Sequence, residues 1–90
     1  DVYKRQIQMY DMPEGAFVIR VEKNSAAGKA GIQKGDIIVS FDGQTVSGKD
    51  DLESKLAYYA SGETVDVVVS RADNGEYVQK TISVTLGSKN

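Results

Sequence analysis

The chain has 90 residues, of which 40% are hydrophobic and 27% are charged, and its formal net charge is -2. This length suits one small domain. Histidine and cysteine are both absent, which excludes Ser-His-Asp and Cys-His catalysis within this chain, disulfides, and the usual zinc sites. With 11 basic and 13 acidic residues, the chain has no basic field for a phosphate backbone, so nucleic acid is not an expected partner. Its longest apolar runs have four or five residues, too few for membrane insertion. These totals favour a binding or regulatory module over a self-contained enzyme.

The first strand follows a Pro-Glu-Gly turn signal at residues 13–15. Residues 16–22 alternate in the way that is typical of a strand, and their apolar side chains Phe17, Ile19 and Val21 share one face. The pattern therefore predicts a strand over residues 16–22.

A short helix is predicted next, over residues 26–30, with Ser25 as its N-cap and Gly31 just beyond its end. Gly31 and Gly35 bracket a sharp reversal into the next strand, where other residues would need an unfavourable φ. Asp36 can accept backbone N–H bonds within that turn. We interpret Gly31, Gly35 and Asp36 as structural turn residues.

A nearly continuous apolar run at residues 36–41 predicts a strand buried on both faces. The dipeptide Asp42-Gly43 is a strong hairpin signal, and residues 44–46 form the predicted short return strand.

The one long helix is predicted over residues 49–59, capped by Ser47 or Asp50. Glu53 lies three residues after Asp50, which is close to a capping-box spacing. Positions at i, i+4 and i+7 predict one buried stripe, formed by Leu52, Leu56 and Tyr59.

Two further strands are predicted over residues 64–71 and 77–86, joined by a hairpin turn at Asn74-Gly75. The order of elements predicts an α+β fold. We expect a small sandwich or partly open β-barrel of five to six strands, closed by one long and one short helix.

Five segments carry a resemblance to a known family: residues 15–18 (Gly-Ala-Phe-Val), 24–27 (Asn-Ser-Ala-Ala), 29–32 (Lys-Ala-Gly-Ile), 34–38 (Lys-Gly-Asp-Ile-Ile) and 41–46 (Phe-Asp-Gly-Gln-Thr-Val). Together they resemble a bacterial PDZ domain, and they are similar to the PDZ domains that follow the protease domain in HtrA (Deg) serine proteases. The resemblance covers about residues 9–87 and implies the permuted topology of bacterial PDZ domains.

The resemblance also implies a function, which is recognition of C-terminal or unfolded peptide segments. PDZ domains bind an extended peptide as an added strand, in a groove between one strand and the long helix. By this likeness the domain itself is not catalytic and needs no cofactor, while the parent protein is a serine endopeptidase whose protease domain is a partner in the same chain. The expected location is outside the cytoplasm, in the periplasm or at the cell surface.

The N-terminal part departs from the family pattern. Relatives carry a carboxylate-binding loop and groove strand before the strand that corresponds to residues 16–22, with a motif like Tyr-Leu-Gly-Ile, and no such motif precedes Gly15. We therefore interpret residues 7–87 as a PDZ domain that lacks this strand. We expect this chain to bind C-terminal peptides weakly or not at all, and a chain extended upstream to bind them. Residues 1–6 match one reading frame of a transposon-end sequencing adapter and are interpreted as a non-native leader, the alternative being a genuine N-terminus. Residues 88–90 are interpreted as a tail or linker.

Five residues are candidates for the peptide groove. Family geometry places one row of the long helix along it, formed by Asp51, Lys55 and Tyr58. Relatives commonly have a small or apolar residue where Lys55 stands, so this lysine predicts a preference for acidic or polar ligand side chains. The alternative for this row is a solvated helix face. Phe17 and Ile19 are assigned either to the groove floor or to the core.

Acidic pairs occur at residues 50–51 and around the turn at residues 73–76. With no histidine or cysteine beside them, they are interpreted as helix capping and turn solvation, so no catalytic or metal-ligating residue is expected.

Alternative parents remain open. PDZ domains also occur in carboxyl-terminal processing proteases with a Ser-Lys pair, in intramembrane metalloproteases, and in scaffold proteins without a protease. The sequence on either side of this domain discriminates among them.

Overall fold

The computed structural model describes residues 13–87. The elements in chain order are β1 (Ala16–Phe17), α1 (Ala26–Ala30), β2 (Ile37–Phe41), β3 (Gln44–Thr45), α2 (Lys49–Leu56), β4 (Thr64–Asp73) and β5 (Glu76–Thr85). The strands form one antiparallel sheet in the order β1-β2-β4-β5, with β3 paired to β2. Within residues 13–87, this sheet and its helices confirm the α+β class expected from the sequence.

The core lies against the central strands β2 and β4. Along β4 the valines at every second position are buried, namely Val65, Val67 and Val69. Ile37 and Phe41 of β2 are also buried in the core. Leu52 of α2 packs against the core and is partly buried. The period of two along β4 thus sets which face of the sheet the helices cover.

Two tight hairpins connect the strands as the sequence predicts. Asp42 and Gly43 have φ values of 52 and 80, and Asn74 and Gly75 have φ values of 53 and 82. Positive φ at both central residues is the geometry of a type I′ turn, whose twist matches that of the flanking strands. Both hairpin predictions are confirmed.

The first strand is shorter than the predicted 16–22, since β1 ends at Phe17. One further pair of backbone bonds joins Val18 to the turn before β2, and beyond it the chain leaves the ladder. Beyond Val18 the chain is no longer paired with β2, so alternate residues no longer point to one face of the sheet. Val18 and Val21, which the pattern assigns to opposite faces, both pack partly buried against the core. Phe17 and Ile19 are 52% and 72% exposed, so neither is a core residue.

The long helix begins at Lys49, as predicted, but its N-cap and its last residue differ from the prediction. Its N-cap is Gly48, with no side-chain cap, so neither Ser47 nor Asp50 has that role. The Asp51 carboxylate instead accepts the Ser47 backbone N–H at 2.9 Å. The helix ends at Leu56 rather than at residue 59, and Leu56 is 37% exposed rather than buried.

The turn between α1 and β2 has the conformation that its sequence predicts. Ser25 caps α1 by accepting the Gly28 N–H at 3.1 Å. Gly31 ends the helix with φ 100, and Gly35 has φ 93, both in the left-handed region that glycine adopts at least cost.

A buried ion pair ties this turn to β4. The Asp36 side chain is only 2% exposed; its Oδ2 accepts the Gln33 N–H at 2.9 Å. Arg71 donates to both Asp36 oxygens, from Nε at 2.9 Å and from Nη2 at 2.7 Å, and its Nη2 also donates to the Gly31 carbonyl at 3.1 Å. Burial opposes the charge on Asp36, but the Arg71 guanidinium and the Gln33 N–H outweigh it and hold the pKa of the carboxyl below its ordinary value.

Candidate functional site

Two depressions lie on opposite flanks of α2. The smaller has a volume of about 450 Å³ and is named the polar flank; it is lined by Gln44, Asp51, Ser54, Lys55, Tyr58 and Tyr59. The larger has a volume of about 690 Å³ and is named the apolar flank; it is lined by Glu53, Leu56, Ala57, Tyr59, Ala60, Ser61, Leu86 and Gly87. Tyr59 lines both depressions.

The charged groups of the polar flank are already paired with each other. Lys55 Nζ lies 2.8 Å from Asp51 Oδ1, at the i,i+4 spacing that brings two side chains together on a helix. The second oxygen of Asp51 accepts the Ser47 N–H at 2.9 Å. The Lys55 ammonium and the Ser47 N–H lower the pKa of Asp51, which keeps the carboxylate charged. Lys55 therefore does not present a free positive charge to a ligand.

The two neighbouring tyrosines have different surroundings. Tyr58 is 88% exposed. Tyr59 donates its hydroxyl to Asp42 Oδ2 at 2.6 Å, and its ring packs edge-on against Phe41, with ring centres 5.0 Å apart. Its bond to the Asp42 carboxylate raises the pKa of Tyr59 above the ordinary 10.0. Tyr59 is thus a fixed wall between the two depressions.

The apolar flank is built where α2 ends and the chain turns into β4. Gly62 donates its N–H to the Leu86 carbonyl at 2.7 Å, and Leu86 donates its N–H to the Glu63 carbonyl at 2.8 Å. The Glu63 carboxylate accepts the Ala60 N–H at 2.6 Å, which fixes the loop. Because Ala57 and Ala60 are small, space is left beside Leu56, which is 37% exposed.

The structure brings together only part of the predicted site. Asp51, Lys55 and Tyr58 line the polar flank together. Phe17 and Ile19 line neither depression; they are exposed on β1 and just after it, and β1 contacts α2.

The apolar flank is a feature that the sequence pattern does not predict. Helical periodicity assigns Leu56 to the buried stripe, because a helix continuing to residue 59 would cover it. The sequence does hold one indication of this depression. The small residues Ala57 and Ala60 leave space next to Leu56, shortly before Ser61-Gly62.

Among residues 13–87 there is no group of three or more His, Cys, Asp or Glu side chains that could hold a metal ion. No helix in this part of the chain is long and apolar enough to cross a membrane. The predicted leader at 1–6 and tail at 88–90 lie outside the described residues.

Comparison with known sequences gives a consistent family. A sequence model described as the PDZ domain matches residues 5–86. A probable periplasmic serine endoprotease, DegP-like, from Marinomonas is 38% identical over 79 residues, covering 88% of this chain and 16% of that protein. The protein of the same description from Brucella suis is 36% identical over 76 residues, covering 84% and 15%. The serine protease Do-like HtrA of Lactobacillus helveticus is 34% identical over 74 residues, covering 82% and 17%.

Solved structures agree on the fold. The PDZ domain of the SdrC-like protein from Listeria monocytogenes superposes with a TM-score of 0.73 at 18% identity, covering 88% of this chain and 78% of that one. The HtrA-type protease AlgW with decapeptide superposes with a TM-score of 0.61 at 28% identity, covering 80% and 22%. The chain spans about a sixth of the length of the curated relatives that it matches. With the family match over residues 5–86 and this shared fold, the chain belongs to the PDZ domain family.

Proposed function

We propose that this PDZ domain recognises an extended peptide segment, either a C-terminus or part of an unfolded chain, on behalf of an HtrA-type serine protease outside the cytoplasm. PDZ domains in general bind peptides by strand addition beside a helix. The parent and its location are supported by relatives named as periplasmic serine endoproteases. Peptide binding is supported by the AlgW structure with a decapeptide.

The observation that carries the proposal is the apolar flank of α2. Leu56, Ala57, Ala60 and Leu86 supply the apolar part of its lining, and the loop beside it is fixed by backbone bonds. Covering such a surface with an apolar side chain removes area from water, which favours binding by about 25 cal/mol per Å². We assign this depression to an apolar side chain of the bound peptide.

The sheet offers an edge close to the helix. β1 is the outermost strand on its side of the sheet within residues 13–87, and it contacts α2. An edge of this kind presents backbone groups with which an extended segment pairs. The exposed side chains of Phe17 and Ile19 lie along this edge and add apolar contact area.

A second candidate location is the polar flank. It is favoured by the fact that Asp51, Lys55 and Tyr58, which family geometry places along the groove, line one depression together. A peptide there would meet the exposed Tyr58 ring and the Asp51–Lys55 pair.

The test is peptide binding by fluorescence anisotropy with a matched pair of variants. Leu56 and Val78 are 37% and 39% exposed, and Val78 lies on β5 near the far hairpin. Truncating Leu56 to Ala removes about three carbons of apolar contact, so we expect affinity for an apolar-ended peptide to fall about fivefold to tenfold. Val78→Ala should leave the affinity unchanged. If neither substitution alters binding, the apolar flank is not the site.

The identity of the parent protein is tested by sequencing the gene on both sides of the region that encodes this domain. We expect an upstream domain with a Ser-His-Asp triad. A downstream domain with a Ser-Lys pair, or membrane helices with His-Glu-x-x-His, would replace the HtrA assignment with one of the other protease classes. Flanks without any catalytic motif would support a scaffold protein.

A further inference from the structure

Charge is divided unevenly along the described part of the chain. Residues 20–36, around α1, hold four basic and two acidic residues. Residues 42–66, which contain α2 and both of its connections, hold six acidic residues and two lysines. The end of the domain that carries the two depressions is therefore negative, although the whole chain has a net charge of only -2.

Two of these carboxylates, those of Glu53 and Glu63, lie at or beside the apolar flank without an ion-pair partner among residues 13–87. Ion pairs among residues 13–87 join Arg20 to Glu22, Lys55 to Asp51, and Arg71 to Asp36. Lys55 is thus ion-paired with Asp51 on the polar flank. Within the described residues neither Glu53 nor Glu63 has such a partner.

Only Glu53 lines the apolar flank, and Glu63 lies beside it. Glu53 lines the depression, next to Leu56 on the same helix. The Glu63 carboxylate accepts the N–H of Ala60, which is itself a lining residue, so this second negative charge is fixed beside the same depression. The result is a partly apolar surface with two carboxylates at its border, where an acidic peptide is repelled and a cationic one is attracted.

We propose that the apolar flank selects peptide segments in which an apolar side chain is adjacent to lysine or arginine. This inference rests on the proposed peptide-binding function and specifies its ligand class. It also runs opposite to the preference for acidic ligands that Lys55 suggests from sequence, because the structure neutralises Lys55 with Asp51 at 2.8 Å.

The experiment uses three peptides of equal length with the same apolar terminal residue and with either two lysines, two glutamines or two glutamates beside it. Affinity is measured by anisotropy at about 0.05 M and about 0.5 M NaCl, since salt shortens the range of these interactions. Exposed ion pairs have modest energies, so we expect the lysine peptide to bind about tenfold more tightly than the glutamate peptide at low salt, and about twofold more tightly at high salt. The glutamine peptide should lie between them.

A charge-neutral variant locates the effect. Glu53→Gln should reduce the lysine-to-glutamate ratio about threefold at low salt. Glu76→Gln is the matched control, because Glu76 is an exposed glutamate on the hairpin far from α2, and it should leave the ratio unchanged.

The outcomes separate the two proposals. Binding of all three peptides with equal affinity, or preference for the glutamate peptide, overturns the charge selection while leaving peptide recognition intact. Binding of none of the three overturns peptide recognition itself and the selection with it. An equal effect of Glu53→Gln and Glu76→Gln shows that the selection arises from total charge and contradicts its assignment to the apolar flank.

Discussion

The two flanks of α2 share a helix and the Tyr59 wall but differ in what they leave available to a ligand. On the polar flank the two charged side chains, Lys55 and Asp51, are already paired with each other. On the apolar flank Leu56 is partly exposed beside two alanines. A ligand on the polar flank meets the exposed Tyr58 ring but must compete with the Lys55–Asp51 ion pair for charged contacts. A ligand on the apolar flank gains from covering Leu56.

The difference also shows that a row of residues on a helix does not by itself define a groove. Asp51, Lys55 and Tyr58 are aligned as predicted and line one depression. Their alignment follows from the periodicity of the helix. The affinity of a site for a ligand depends instead on which polar groups lack a partner and which apolar side chains are exposed.

The largest expected effect is on stability, from the buried ion pair. Arg71→Met leaves the Asp36 carboxylate, 2% exposed, without its cation, and we expect a loss of about 3 kcal/mol in the free energy of unfolding. Arg20→Met is the matched control, because the side chains of Arg20 and Glu22 are 79% and 71% exposed, and it should cost less than about 0.5 kcal/mol. Urea denaturation measures both. Equal losses would show that the stability of the fold does not depend on the Asp36–Arg71 pair.

The next effect distinguishes the flanks directly, by placing the same bulky side chain on either one. Ala57→Trp fills the apolar flank, and Ser54→Trp fills the polar flank from three residues earlier on the helix. We expect Ala57→Trp to weaken binding of an apolar-ended peptide at least about tenfold, and Ser54→Trp to change it less than about twofold. The reverse ranking, measured by the same anisotropy titration, would assign the ligand to the polar flank.

A smaller effect is expected on the pH dependence of stability. Because the folded-state pKa of Asp36 is lowered, its contribution to stability is present above the ordinary value of 3.8 and is lost as pH falls through the folded pKa. We expect the free energy of unfolding to fall as pH is lowered below about 4. Asp36→Asn should be less stable at neutral pH and should show a shallower fall. Parallel pH profiles for the two chains would contradict this role.

The smallest expected effect is on the pKa of Tyr59, which lines both flanks. The Asp42 carboxylate raises the pKa of Tyr59, so Asp42→Asn should bring that pKa back toward 10.0 in an absorbance titration. Asparagine tolerates the positive φ of 52 at this position, so the hairpin should be retained. An unchanged titration would show that the bond from Tyr59 to Asp42 does not persist in solution.

Features that depend on neighbouring residues could be predicted from the sequence. The Asp42-Gly43 and Asn74-Gly75 hairpins follow from residues that accept positive φ, and the Ser25 cap follows from a hydroxyl that reaches an N–H three residues ahead. Each is decided within a few residues. Neither an alignment nor a partner strand is needed to predict them.

Features that depend on distant parts of the chain could not be predicted in the same way. The sequence identifies Asp36 as a turn acceptor, but its partner Arg71 is 35 positions away, and no local pattern joins them. The predicted strand at residues 16–22 is too long, because alternation continues in the sequence after the ladder with β2 has ended. Leu56 is predicted to be buried because periodicity describes a continuing helix and does not register where the helix stops.

The most direct measurement is a titration of the isotopically labelled chain with an apolar, lysine-containing peptide, followed by amide chemical shifts in two-dimensional NMR. The predicted result is that the largest saturable shifts fall on the apolar flank, at Leu56, Ala57, Ala60 and Leu86. Largest shifts on the polar flank instead, at Gln44, Asp51, Lys55 and Tyr58, would contradict the assignment of the peptide to the apolar flank.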